Sequence, residues 1–150
     1  MREVIIALLS STITIVITSF FNYHYQLRQA IRNESVKYTT EILKMIYTPI
    51  YKILIAAIVP GDDYVGITKE MLFEIEDITN KNYELVDPHL NTIIWSLKKE
   101  VRREHYEESL KLFDKNMQLL THVEHNFNFY RKRIGLPFDK TKVKKSYWIA

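Results

Sequence analysis

His122 and His125 stand three residues apart, a spacing that sets two imidazoles on one face of a helix. A zinc or di-iron site could use such a pair if carboxylates stood at matching positions. Neither H-E-x-x-H nor E-x-x-H occurs, so both are expected to be surface histidines beside Asn126 and Asn128. Arg103, Glu104 and His105 bring base, acid and imidazole together as in a nuclease. They lack the wider Arg-to-His separation that a helical nuclease site uses, and are set aside. Asp62 and Asp63 adjoin in a turn and have the charge to hold a divalent cation, although two adjacent acids in a turn ordinarily face solvent. No cysteine is present, which excludes thiolate nucleophiles, disulfides and cysteine metal sites. Three glycines, Gly61, Gly66 and Gly135, leave no material for a phosphate-cradling loop. No serine can be matched by spacing to a histidine and an acid. The expectation is a non-enzymatic protein with no catalytic residue, cofactor or metal.

The elements that would hold these residues begin with "SSTITIVITSFF", residues 10–21. Its Thr and Ile alternate as in a half-buried strand, yet residues 4–21 contain no charge, Gly or Pro. Those 18 residues would make a helix of about 27 Å, close to the ~30 Å hydrocarbon core of a bilayer. A single segment in lipid satisfies its own backbone only as a helix. Residues 1–22 therefore read as a transmembrane anchor. A cleaved signal peptide fits less well, because the run is long and bulky "FFNYHYQ" follows it. Arg28, Arg32 and Lys37 beyond the span, against Arg2 and Glu3 before it, put the amino terminus outside and the remainder in the cytoplasm. Phe20, Phe21, Tyr23 and Tyr25 would form the inner aromatic belt.

The chain has 150 residues, so one domain follows the anchor. The net charge of +3 demands no polyanionic partner, and no specific nucleic acid is expected. Its distribution is polarised: residues 62–87 carry eight acids against Lys69 and Lys81, and residues 131–150 carry seven bases against Asp139. Residues 23–136 read as an all-α bundle of about four helices, without strands. Val36, Leu43, Ile50 and Ala57, with Ile46 and Ile53, make a narrow seam on a first helix that Pro49 kinks and "PGDD" stops at residue 60. A second span over residues 42–59 is disfavoured by Lys44, Lys52 and Pro49. A short helix is expected over 68–79, capped by Thr68, with Met71, Ile75 and Ile78 on one side. The next starts at Asp87-Pro88 and presents Leu90, Ile93, Ile94, Leu97 and Val101. The apolar phase slips across residues 102–105, where a turn is expected. In the last helix Tyr106, Phe113, Leu120, Phe127 and Ile134 recur every seven residues, with Leu110, Met117, Val123 and Tyr130 between, until "GLP" at 135–137 closes it. This aromatic stripe reads as core.

Two features point to associations. Ala7, Ser10, Ser11, Thr14 and Thr18 share one face of the anchor and would let helices approach closely, as in small-xxx-small packing. The alternative is that the hydroxyls only bond back to their own helix. Residues 137–150 form a basic tail in which Lys140, Lys142, Lys144 and Lys145 precede Trp148. It is expected at an anionic membrane surface, with the domain's own acidic middle, plain solvent or nonspecific nucleic acid as rivals.

Residues 44–58, "KMIYTPIYKILIAAI", together with the anchor before them, resemble uncharacterised small single-pass membrane proteins of bacteria and their phages. In that group a helix of the form leucine-tyrosine-x-proline-leucine/isoleucine-tyrosine-x-leucine follows the anchor. Here Ile46, Tyr47, Pro49, Ile50, Tyr51 and Leu54 fill those places, and residues 130–137 are similar to the end of the group's last helix. The resemblance implies a helical cytoplasmic domain and transfers no catalytic residue. The functional expectation is a membrane-anchored module that binds a protein partner or itself, encoded by a prophage or other mobile element. The competing expectation is a holin-like or abortive-infection effector that perturbs the bilayer through association of its spans.

Overall fold

The computed structural model describes residues 2–58, 64, 66–101 and 109–143, without the side chains of residues 3–10 and 109–113. Five α-helices follow in order: α1 Arg2–Ile42, α2 Thr48–Ala56, α3 Lys69–Lys81, α4 Pro88–Val101 and α5 Ser109–Arg133. A π-helical turn, Leu43–Tyr47, joins α1 to α2, and a 3-10 turn, Tyr83–Leu85, precedes α4. Among the described residues there is no strand, only an isolated antiparallel bridge between Ile58 and Tyr64. The all-α expectation holds. Two compact units divide the chain, Met1–Lys37 and Tyr38–Ala150.

Within the first unit the side chains of residues 11–34 are all exposed. Among the described residues no helix is long and apolar enough to cross a membrane. The described side chains of the uncharged run begin at Ser11, and residues 11–21 would span only about 16 Å as a helix.

The second unit is a bundle whose core combines Ile46, Tyr47, Ile50 and Leu54 with Leu72 and Ile75, Leu90, Ile94 and Leu97, and Leu119 and Val123. Pro49 explains the π turn. Proline lacks the N–H that would close a helical bond to residue 45, and its ring crowds that carbonyl. The chain widens by one residue just before it, so the Thr48 N–H reaches back to the Leu43 oxygen. The extra residue advances the helix phase and buries adjacent pairs, Ile42 with Leu43 and Ile46 with Tyr47. The expected kink is thus a π bulge upstream of the proline.

Helix α2 ends at Ala56, short of the expected stop at residue 60. Ile58 there leaves to bridge Tyr64, and residues 60–63 with Asp62 and Asp63 lie outside the described residues. Val36, assigned to the seam, is exposed, because the bundle begins only at Tyr38.

The remaining helix starts follow their caps. Thr68 Oγ1 accepts the Met71 N–H at 3.3 Å, and Asp87 Oδ1 accepts the N–H groups of His89 and Leu90, each at 2.9 Å. The turn expected at 102–105 lies outside the described residues. Helix α5 closes on Gly135, whose φ of 80° suits glycine. The Leu136 N–H bonds the Arg131 oxygen at 2.9 Å and the Gly135 N–H the Lys132 oxygen at 3.2 Å, as in a Schellman cap. Its buried face corrects the seven-residue seam: Asn116 and Leu119 are inside with Leu120 and Val123, whereas Met117 is exposed. Helix α5 packs against both α4 and the π-turn/α2 segment, which requires a stripe wider than a coiled-coil seam.

Candidate functional site: a Tyr47–Asp87–His122 cluster

Three segments far apart in sequence meet at Asp87. The π turn supplies Tyr47, the N-cap of α4 supplies Asp87 and His89, and α5 supplies His122, Asn126 and Tyr130. Tyr47, 1% exposed, donates its phenol proton to Asp87 Oδ2. His122 Nε2 lies 3.1 Å from the same oxygen, with its side chain 12% exposed and that of Asp87 28%. Asp87 Oδ1 holds the cap. Four donors therefore fill the acceptor capacity of one carboxylate.

The donors fix the charge on Asp87. Burial alone would raise its pKa, but hydrogen bonds from His122, Tyr47 and the Leu90 N–H, with the His122 charge, outweigh that and bring it to about 2. The same contacts push the Tyr47 phenol far above its usual range, through burial first and then the Asp87 charge. Burial, followed by Asp87, also raises Tyr130.

Asn126 Nδ2 donates to the His122 carbonyl oxygen at 3.0 Å and stands 3.4 Å from His122 Nδ1. The His89 ring meets the His122 ring edge-on, with centroids 4.8 Å apart. The Tyr47 and Tyr130 rings lie 5.2 Å apart, and Tyr51 stacks on Phe127 at 4.3 Å. Chemically the arrangement is a fastener: one half-buried anion ties the π turn, the start of α4 and the middle of α5. Among the described residues no group of three His, Asp or Glu is placed to hold a metal ion.

His122 is thus a half-buried partner of Asp87, and the expectation of a surface histidine is corrected for it. His125 donates from Nδ1 to the Lys142 carbonyl at 3.3 Å. Sequence reasoning found Asp87 as a cap and missed its other oxygen, since the partners lie 35 and 40 residues away. The detectable signal was an Asp-Pro cap beside a helix rich in aromatic and imidazole groups.

The tail begins as a strap along α5. Arg131 Nε donates to the Pro137 oxygen at 2.5 Å, the Asp139 N–H to Asn128 Oδ1 at 2.9 Å, and Lys142 Nζ to Glu124 Oε2 at 2.8 Å. Successive tail residues thus meet positions ever further back along the helix. Lys142 is paired there and Lys140 is exposed, while Lys144, Lys145 and Trp148 lie outside the described residues. Of the stripe on α1, Ser11, Thr14 and Thr18 are exposed to solvent, and Ser11 and Thr14 already have interaction partners. The side chains of Ala7 and Ser10 lie outside those described. Comparison with protein-family models, curated proteins and solved structures finds no match to this chain.

Proposed function

We propose that this chain is a single-pass membrane protein whose cytoplasmic helical bundle acts as a non-enzymatic interaction module. The observation that carries the reading is the surface of α1. Ile13, Ile15, Val16, Ile17, Phe20 and Phe21 are 51–68% exposed, and at about 100° per residue they cover all of the helix but the sector of the hydroxyl stripe. A helix apolar over so much of its exposed surface, with no charge on the remainder, needs lipid or a protein core around it. Residues 4–10 carry the same uncharged composition upstream, which brings the run to bilayer length. Tyr23 and Tyr25 follow at the headgroup level and Arg28, Arg32 and Lys37 beyond them, the order of a cytoplasmic exit.

The bundle supports an interaction role by what it displays. Trp95 on α4 is 66% exposed, with Lys99 Nζ over its ring at 5.7 Å, and Phe73 on α3 is exposed as well. Aromatic side chains of this kind are enriched where proteins bind one another. A reporter active only outside the cytoplasm, fused after Ala150, tests the topology. Silence of that fusion, with activity of one fused ahead of Arg2, is expected; strong activity at the carboxyl end overturns the cytoplasmic placement.

A further inference from the structure

We infer that α1 pairs with α1 of a second copy of this chain, in parallel and in register, through a seam of Ile13, Ile17, Phe20, His24, Leu27 and Ile31. The inference rests on the membrane anchoring proposed above. These six positions are spaced 4, 3, 4, 3 and 4 residues apart, the alternation that keeps one face turned toward a partner helix. All six are exposed within the first unit, on a helix uninterrupted by Gly or Pro. Phe20 and His24 already lie edge-to-face at 4.4 Å, so successive seam residues form a continuous ridge.

Three observations select a second copy as the occupant. First, the seam runs from the lipid-side residues Ile13 and Ile17 past the aromatic belt to Leu27 and Ile31. A soluble partner could cover only the latter part, whereas a copy anchored at the same depth meets the whole seam. Second, on the water side Ile31 takes an a position and Leu27 a d position, the combination that favours two parallel strands, with His24 as a polar a residue that fixes register, while Ile13 and Phe20 take the d positions on the lipid side. Third, the flanks are compatible with their own copies. Tyr23 would face the second copy's Arg28, a cation–π pair, and Ala30 would face its Ser35. Glu34, the next d position, would oppose itself and ends the seam there. Because lipid supplies no hydrophobic drive between helices, Leu27 and Ile31 on the water side provide most of it.

This face lies about 120° around the helix from the stripe of Ala7, Ser10, Ser11, Thr14 and Thr18, at about 100° per residue. Disulfide cross-linking separates the two, since the chain has no cysteine of its own. Full-length single variants Leu27→Cys, Ile31→Cys, Thr14→Cys, Gln29→Cys and Asn33→Cys are oxidised in native membranes. Leu27→Cys and Ile31→Cys should give a product of twice the chain mass, several-fold more than the other three. Equal yields at all five positions, a maximum at Thr14→Cys, no product, or a product of another mass each overturns the pairing. Leu27→Glu placed in the Ile31→Cys background should abolish the product without releasing the protein from the membrane. If the unmodified chain itself leaves the membrane on washing, the anchoring fails, and the same cross-links on the released chain still decide the pairing.

Discussion

The two oxygens of Asp87 serve three segments of the bundle at once. Its pKa in the fold, about 2, lies below the ordinary value of 3.8, so the unfolded chain binds its proton first as pH falls. The stabilisation is therefore complete above about pH 4 and disappears as pH drops toward 2, and it amounts to about 2 kcal/mol. Asp87→Asn should lower stability by at least that much at pH 7. The gap from the parent protein should close between pH 4 and 2; denaturant unfolding at several pH values measures it, and a gap independent of pH contradicts the charge assignment. Tyr64 is the opposite case. Its hydroxyl is buried without a hydrogen-bond partner among the described residues, and burial raises its pKa to about 12. Tyr64→Phe should raise stability by about 1 kcal/mol, the cost of a stranded polar group. Gly66 sits at φ 99° with the place of a Cβ 3.1 Å from the buried Asn116 amide, so Gly66→Ala should cost about 1–2 kcal/mol in the same assay.

At the scale of elements, what local chemistry dictates was legible in the sequence. Thr68, Asp87-Pro88 and Gly135 announced two helix starts and one stop, because a cap is decided within four residues. The face of α4 was read in full, Val101 included, as it packs against the core in one phase. The face of α5 was read too narrowly, since nothing local says that this helix has two neighbours. Leu119→Ala should therefore cost about 2–5 kcal/mol and Met117→Ala less than about 0.5 kcal/mol. Thermal melting of the two variants distinguishes the wide stripe from the seven-residue seam, which predicts the reverse. The π turn before Pro49 was legible as a disturbance and not as a gain. The widened turn is what brings Tyr47 to Asp87, and no spacing rule links residues 47, 87 and 122. The strap of residues 137–142 escaped notice for the same reason, as its anchors Asn128 and Glu124 bond through single polar atoms without a periodic pattern.

For the molecule as a whole, the central proposal is that the uncharged start of α1 lies in lipid while the bundle folds without it. The bundle gathers Tyr47, Ile50, Leu54, Ile75, Leu90, Leu97, Leu119 and Val123 around one core, so it has the means to fold by itself. Helix α1 exposes a belt of isoleucine, valine and phenylalanine for which the first unit offers no cover. A charged side chain at the centre of a span costs about 2.5–3.5 kcal/mol, so two lysines should defeat insertion. The direct measurement is alkaline carbonate extraction of membranes containing the full chain or its Ile13→Lys/Ile17→Lys variant, with the bundle's circular dichroism recorded for each. The account predicts that the parent chain stays in the pellet and the variant moves to the supernatant with its bundle folded. Release of the parent chain by carbonate, or equal retention of the variant, would contradict it.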